Sequence, residues 1–248
     1  MRIPGGALMD EGVRTYFTQP AILRTYLLVP CAVALALLLV WPRAPLTALL
    51  RAGPSPNPFV VASVTLLLFA LYLSTRYGSE DYSPGTLVQL RDYVAFTPVS
   101  LVEVVLGKAA FALGHTLFVV LLGAPLLFVA MAIGGMTEAQ LLLVLAVSGA
   151  ACVAARMFGL LVLTLVRTGP LLRDVILLPV IALSLVLTLL FLPPANPIGA
   201  VVSVAVGSSQ GVGRMSLPLT SIVISLGAAA LLGGAVLASL RAMRRSHG

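Results

Sequence analysis

The residues of this chain that could do chemistry are few, and most of them lie in one segment. Residues 85–108, GTLVQLRDYVAFTPVSLVEVVLGK, place Arg91, Asp92, Glu103 and Lys108 among leucines and valines. Charged groups beside an apolar stripe are typical of a helix that recognises another protein. An enzyme would need a nucleophile with its base, or a cluster of metal ligands, and the sequence shows no such constellation. The segment therefore indicates binding, and the chain is not expected to be an enzyme.

The cysteines and the one Gly-Lys pair do not change this expectation. Cys31 and Cys152 lie in apolar runs, where a thiol is most simply a small packing group. No CxxC occurs, and no His/Cys cluster has the spacing of metal ligands. Gly107-Lys108 is followed by Ala109 and lacks the glycine-rich loop that cradles phosphates. The chain is therefore expected to bind no cofactor of its own.

The composition identifies the broad class. The chain has 248 residues, of which 60% are hydrophobic and 9% charged. Soluble domains carry roughly 25% charged residues, so these charges are too few for a water-exposed surface. The net charge of +7 does not indicate nucleic acid, because the basic residues are scattered at the ends of apolar runs and form no patch. These features predict an integral membrane protein.

Six apolar runs are long enough to cross a bilayer, which takes about 20 residues each. Helices are expected, because a lipid-embedded backbone must satisfy its own hydrogen bonds, and the short alternating segments of a β-barrel are not visible. The fold class is therefore predicted to be an all-α membrane protein. The predicted spans are Ile22–Trp41, Phe59–Thr75, Ala109–Ile133, Ala139–Val166, Val175–Leu192 and Pro218–Leu240.

The distribution of Lys and Arg predicts the orientation. With the N-terminus inside, the outer loops hold only Arg43, Arg51 and Arg214, and Arg156 lies within a span. The remaining basic residues lie on the inner side, as the positive-inside rule requires. The prediction is N-in and C-in, as a multi-pass protein of a bacterial-type inner membrane.

Two further regions carry predictions. Residues 1–21 are expected to form an amphipathic interfacial helix, broken at Pro20, that leads into a first span retained in the protein. Residues 193–217 are an external connection whose apolar run, 198–206, is too short to span. It is either a re-entrant piece covered by protein or a surface loop with a short helix.

The segment 85–108 has its own internal order. Helical spacing puts Leu87, Leu90 and Val94 on one stripe within an amphipathic helix over 86–96. Pro98 disfavours helix at the residue before it, which predicts a turn.

A second helix is predicted to start after that turn. Ser100 and Glu103 have the spacing of a capping box, and the helix would run past Lys108 into the third span. The connection between spans two and three uses about thirty residues where a few would suffice. It is either a ramp back into the bilayer or a docking element for a cytoplasmic partner, and its length favours docking.

The stretch SEDYSPGTLVQLRDYVAFTPVSLVEVVLGK resembles the signature of type-2 ABC transporter permeases. In that family a Glu near the end of span two is followed by Gly-Thr-Leu, a TPVS-like turn and a Gly-Lys that opens span three. This sequence departs from the pattern at Val88, where an acidic residue is usual, and by about four extra residues, or one helical turn, before Pro98. The matching residues are Glu80, Gly85, Thr86, Leu87, Thr97, Pro98, Val99, Ser100, Gly107 and Lys108.

The resemblance implies a function and partners. The chain would be the permease of an ATP-driven exporter, with an N-terminal elbow helix and a cytoplasmic coupling segment over 78–108. A separate ATPase subunit would bind ATP and Mg, and a second permease, identical or related, would complete the pathway within the membrane lipids. Replacing Leu87 and Leu90 by Asp is expected to abolish ATPase association and to leave membrane insertion intact. The ATPase-coupling residues would be Glu80, Gly85, Thr86, Leu87, Leu90, Arg91, Asp92, Thr97, Pro98, Ser100, Glu103 and Lys108.

Polar residues inside the spans have two interpretations. Ser148, Cys152 and Arg156 share one helical face, and Arg156 with Ser148 would contact cargo in a pathway. Alternatively, the arginine reaches the cytoplasmic interface or a backbone carbonyl. This second interpretation is favoured, because the long arginine side chain covers much of the distance. His115 is expected to be a satisfied interfacial histidine.

Stripes of small residues predict close helix packing, within the bundle or at a dimer interface. One stripe is Ala151, Ala155 and Gly159, and the other is Ser225, Ala229 and Gly233.

Two other functions remain open at this stage. A membrane scaffold that recruits a cytoplasmic partner without transport would show the same segment. A secondary carrier would need acidic residues at mid-membrane, and all eight carboxylates lie outside the predicted spans or at their ends. The carrier is therefore the third choice.

Overall fold

The structure is a computed structural model. It describes residues 10, 12–14, 17, 20–41, 56–78, 90, 94, 100–166, 170–206 and 216–245, without the side chains of 20–22, 170–174, 206 and 216. Within these residues the chain is helical and has no strand. The helices are α1 (Pro20–Leu39), α2 (Asn57–Gly78), α3 (Leu101–Gly134), α4 (Glu138–Leu165), α5 (Pro170–Phe191), α6 (Pro197–Val206) and α7 (Ser216–Arg245), with a 3-10 turn at Pro193–Ala195.

Four of these helices are long and apolar enough to cross a bilayer. They are α2, α3, α4 and the stretch Leu217–Arg245 of α7. The apolar parts of α1 and α5, Leu23–Leu39 and Val175–Phe191, are shorter. These helices indicate a membrane-embedded, multi-pass protein and confirm the helical class. All six predicted spans fall on helices, while their number as spans and their orientation stay predictions.

Local chemistry accounts for the helix ends around α3 and α4. Ser100 stands before α3 with extended backbone, as predicted, but its side chain makes no capping bond, so that part of the capping-box prediction is wrong. Gly135 ends α3 at a φ of 66°, a conformation that glycine adopts without steric cost. Thr137 and Gln140 form a reciprocal capping box that starts α4.

Helices α2 and α4 approach each other closely at two glycines, Gly78 and Gly159. A Cβ at Gly159 would lie 2.5 Å from the carbonyl oxygen of Thr75, and one at Gly78 would overlap the carbonyl of Arg156. Only glycine allows the helices this distance. The first predicted small-residue stripe therefore packs on α2. In the second stripe a Cβ at Gly233 would meet nothing within 4 Å, so that glycine makes no such contact with the described residues.

The buried apolar side chains form two clusters. The main core joins α1, α2, α3, α4 and α6. A second cluster, which we call the segment core, consists of Leu90, Val94, Val104, Ala112, Met157, Leu160, Leu163, Ala229, Val236 and Leu240. This cluster lies at the end of the bundle where α2, α4 and α7 end and α3 begins. We call this end the segment end of the bundle.

The short run between the last two long helices is the helix α6. Ala200, Val201, Val204 and Ala205 are buried, so one face packs on the bundle, and the region is not merely a surface loop. Asn196 precedes α6 and is fully buried. Its Nδ2 donates to the Leu185 carbonyl at 2.7 Å, and its Oδ1 accepts from the Gly199 N–H at 2.9 Å, which ties α6 to the end of α5.

Candidate functional site

Two described residues of the segment 85–108 lie before its predicted turn. Leu90 and Val94 have helical backbone and are 3% and 1% exposed. Both belong to the segment core, with Met157 of α4 and Leu240 of α7. Of the predicted coupling residues, Glu80, Gly85, Thr86, Leu87, Arg91, Asp92, Thr97 and Pro98 lie outside the described residues.

The burial of Leu90 changes how the segment can be tested. The apolar stripe that holds Leu90 and Val94 faces the bundle. An Asp at position 90 would therefore put a carboxylate into the segment core and disturb the bundle itself. The expectation that replacing Leu87 and Leu90 by Asp abolishes ATPase association and leaves membrane insertion intact stays a prediction. Loss of association in that variant would not identify the docking surface, because the disturbed core is a second cause. A partner would have to bind the opposite side of the segment.

The first turns of α3 present two different faces. Val104 and Lys108 are buried against the bundle, with Lys108 only 5% exposed. Val102, Glu103 and Leu106 are exposed on the other side. The two charged residues predicted at this helix start are therefore separated. Glu103 is available to a partner, and Lys108 belongs to the interior.

The C-terminal end of α7 reaches the segment. Arg244 donates from Nε and from Nη2 to the backbone carbonyl of Val94, at 3.3 and 3.2 Å. This contact joins residues 150 positions apart in the sequence. Neither the composition nor the residue spacing of the sequence indicates Arg244 as part of the site.

A buried polar chain crosses the interior next to the segment end. His115 of α3 contacts Tyr26 of α1 through Nε2 at 2.6 Å and Arg156 of α4 through Nδ1 at 2.5 Å. All three side chains are less than 5% exposed. The chain thus links three helices through one imidazole. The prediction that His115 is hydrogen-bonded is confirmed.

The direction of these hydrogen bonds follows from the guanidinium. Arginine stays protonated in proteins and only donates, so Nδ1 of His115 must accept. The ring is then neutral, with its hydrogen on Nε2, and it donates to the Tyr26 hydroxyl. Phe111 supports the arrangement, because its ring stacks on His115 at 5.6 Å and lies 5.2 Å from the Arg156 guanidinium carbon.

The burial of Arg156 argues against one part of its second interpretation, in which the side chain reaches the interface. A bond to a backbone carbonyl stays a prediction. At 3% exposure the guanidinium does not reach the surface. It lines a cavity of about 10 Å³ with Tyr77, Gly78, Lys108, Met157 and Leu160. That volume has room for about one water molecule. Ser148 is also fully buried, and contact of either residue with cargo stays a prediction.

The described residues offer no metal site. Nowhere in that part of the chain do three His, Cys, Asp or Glu side chains come together. Cys152 is buried, and Cys31 is exposed on α1.

No protein-family model, no curated protein and no solved structure matches the chain.

Proposed function

We propose that this chain is the permease subunit of an ATP-driven transporter of the type-2 ABC class, with export as its direction. The observation that carries the proposal is the segment between α2 and α3. Two residues of its apolar stripe, Leu90 and Val94, pack against helices from three parts of the chain, which holds this part of the long connection on the bundle. A connection that served only to return the chain to the bilayer would not need this anchoring.

The proposal includes six spans with both termini inside. It is supported by six apolar helices at the predicted positions and by the excess of basic residues on the proposed inner side. The segment end of the bundle would then face the cytoplasm. The resemblance of the stretch from Glu80 to Lys108 to the permease signature supports the same orientation.

Helix length supports a site that projects from the membrane. The 34 residues of α3 extend about 51 Å, against a hydrocarbon core of about 30 Å. Helix α7 has 30 residues and ends beside the segment, because Arg244 contacts Val94. Both helices would therefore extend past the bilayer at the end where an ATPase would bind.

Energy would come from a partner. The sequence contains no GxxxxGK[ST] loop, so a separate ATPase subunit would hold ATP and Mg. In this arrangement, motion of the ATPase passes into α3, since the segment continues directly into that helix. A second permease copy or a related chain would form the other half of the pathway.

The test is co-purification from the native membrane in mild detergent, followed by mass spectrometry and an ATPase assay. Asp92 lies away from the Leu87–Leu90–Val94 stripe by helical spacing. We expect Asp92→Arg to reduce recovered ATPase about tenfold or more, as loss of one interface anchor can do. The matched control is Glu138→Arg, which reverses the charge of an exposed carboxylate at the opposite end of the bundle.

Two outcomes would contradict the proposal. If no ATPase co-purifies under conditions that keep other membrane complexes together, the transporter has no energy source. If an ATPase binds but ATP causes no conformational change in this chain, the protein is a scaffold that recruits a partner without transport.

A further inference from the structure

The carbonyl group of Val94 lacks its usual helical partner for a covalent reason. In an α-helix the carbonyl of residue 94 accepts from the N–H of residue 98. Residue 98 is Pro98, which has no N–H. In a helix through Val94 this carbonyl therefore needs another donor.

Arg244 supplies that donor. Two of its N–H groups point at the same Val94 oxygen, at 3.3 and 3.2 Å, and the side chain is half-buried. A charged donor forms a stronger bond than a neutral one, and the planar fork of arginine holds its direction. A basic side chain at the C-terminal end of a helix also interacts favourably with the partial negative charge there.

The apolar contacts around this bond come from the same two elements. Val236 and Leu240 of α7 are 0% and 1% exposed and share the segment core with Leu90 and Val94. The spacing of 236, 240 and 244 puts these residues on one face of α7. One face of the last helix thus holds the segment through packing and through the Arg244 bond.

We propose that Arg244 is a positioning residue that caps the Val94 carbonyl and fixes the segment to α7 at that point. When the segment moves, it then displaces the last helix together with α3. The cap and the attachment stand on the contacts described here, whereas the movement rests on the proposed function.

The cap is tested in the full-length protein in lipid nanodiscs, by hydrogen exchange of peptides that cover residues 88–97. Arg244→Gln removes the charged fork, and we expect about tenfold faster exchange in these peptides. Arg245→Gln is the matched control, because Arg245 carries the same charge one position later and is exposed. Arg244→Lys keeps the charge without the fork, and partial protection is expected. Equal exchange in the Arg244→Gln and Arg245→Gln proteins would overturn the cap.

A second variant tests the reason for the cap. Pro98→Ala gives residue 98 an N–H that can bond to the Val94 carbonyl. If Arg244 replaces the missing proline donor, the effect of Arg244→Gln on exchange will be several-fold smaller in the Pro98→Ala background. An undiminished effect would overturn the assignment, since Arg244 would then act on something other than that carbonyl.

The attachment to α7 is tested with the ATPase bound. A non-hydrolysable ATP analogue is expected to change exchange in residues 236–245 of the natural protein and of Arg245→Gln, but not of Arg244→Gln. The same change in all three proteins would overturn transfer through Arg244. Failure of any ATPase to bind would instead contradict the proposed function, and the measurements without ATPase would still decide the cap.

Discussion

Helices α2 and α5 have the same length and very different surroundings. Each has 22 residues and is largely apolar. In α2 the inward face carries Ala62, Ala70, Ser74 and Gly78, at multiples of four residues, and all four are buried. In α5 Leu177 is the only residue with a described side chain that is buried. Apolar composition therefore does not distinguish the two helices, whereas the small residues of α2 let it pack in the centre.

The largest expected effect concerns the contact that lets α2 approach α4. Gly159→Leu would place a side chain on the carbonyl of Thr75 and the backbone of Gly78, which cannot move aside. We expect a loss of more than about 4 kcal/mol of stability, so that little folded protein is recovered. Monodispersity in size-exclusion chromatography and the thermal midpoint in detergent measure it.

Gly233→Leu provides the control, because a Cβ at Gly233 meets nothing within 4 Å. This variant should fold normally. Equal damage in both variants would show that glycine is needed in these helices for another reason than close packing.

A smaller effect is expected from leucines on the two compared helices. Leu67 of α2 is fully buried, and Leu183 of α5 is 57% exposed. Lipid is as apolar as leucine, so the lost contacts and the cavity make up the cost of Leu67→Ala, about 2 kcal/mol. Leu183→Ala should change the unfolding free energy by less than about 0.5 kcal/mol. Reversible unfolding in mixed micelles measures both, and a larger effect at Leu183 would place α5 in a packed interface.

The smallest effect concerns a hydroxyl group. Tyr26→Phe removes the acceptor for the buried His115 N–H, which should cost about 1–2 kcal/mol. Tyr72→Phe is the matched change on the outside of α2, where the hydroxyl accepts from Arg76 at 3.2 Å in an exposed position. Its cost should be below about 0.5 kcal/mol. The same unfolding measurement compares them, and equal costs would contradict the stabilising role of the buried Tyr26–His115 bond.

The sequence predicts the helices well because hydropathy and end signals are local. The start of α3 after Ser100 follows from neighbouring residues, and a short helix is one of the two interpretations of the run 198–206. The partners of Tyr26, His115 and Arg156 do not, because these contacts join residues 89 and 41 positions apart. Nothing in the spacing of one helix specifies which helix will lie beside it.

The segment shows the same limit. Its stripe of Leu87, Leu90 and Val94 is visible in the sequence. The sequence does not say whether that stripe packs against a partner protein or against the bundle itself. The structure puts Leu90 and Val94 against the bundle. Pro98 indicates that the Val94 carbonyl needs a donor, yet only the folded chain identifies Arg244 as that donor.

The attachment of α5 at one end has a consequence for its behaviour in different membranes. Asn196, which follows the 3-10 turn, holds the C-terminal end of α5 through the Leu185 carbonyl and the Thr188 hydroxyl. Apart from Leu177, the described side chains of α5 are not buried, so this helix can adjust its angle to the hydrocarbon thickness with little disturbance of the packed helices. The tilt of α5 should therefore follow the acyl-chain length of the surrounding lipid, while the tilt of α2 stays constant.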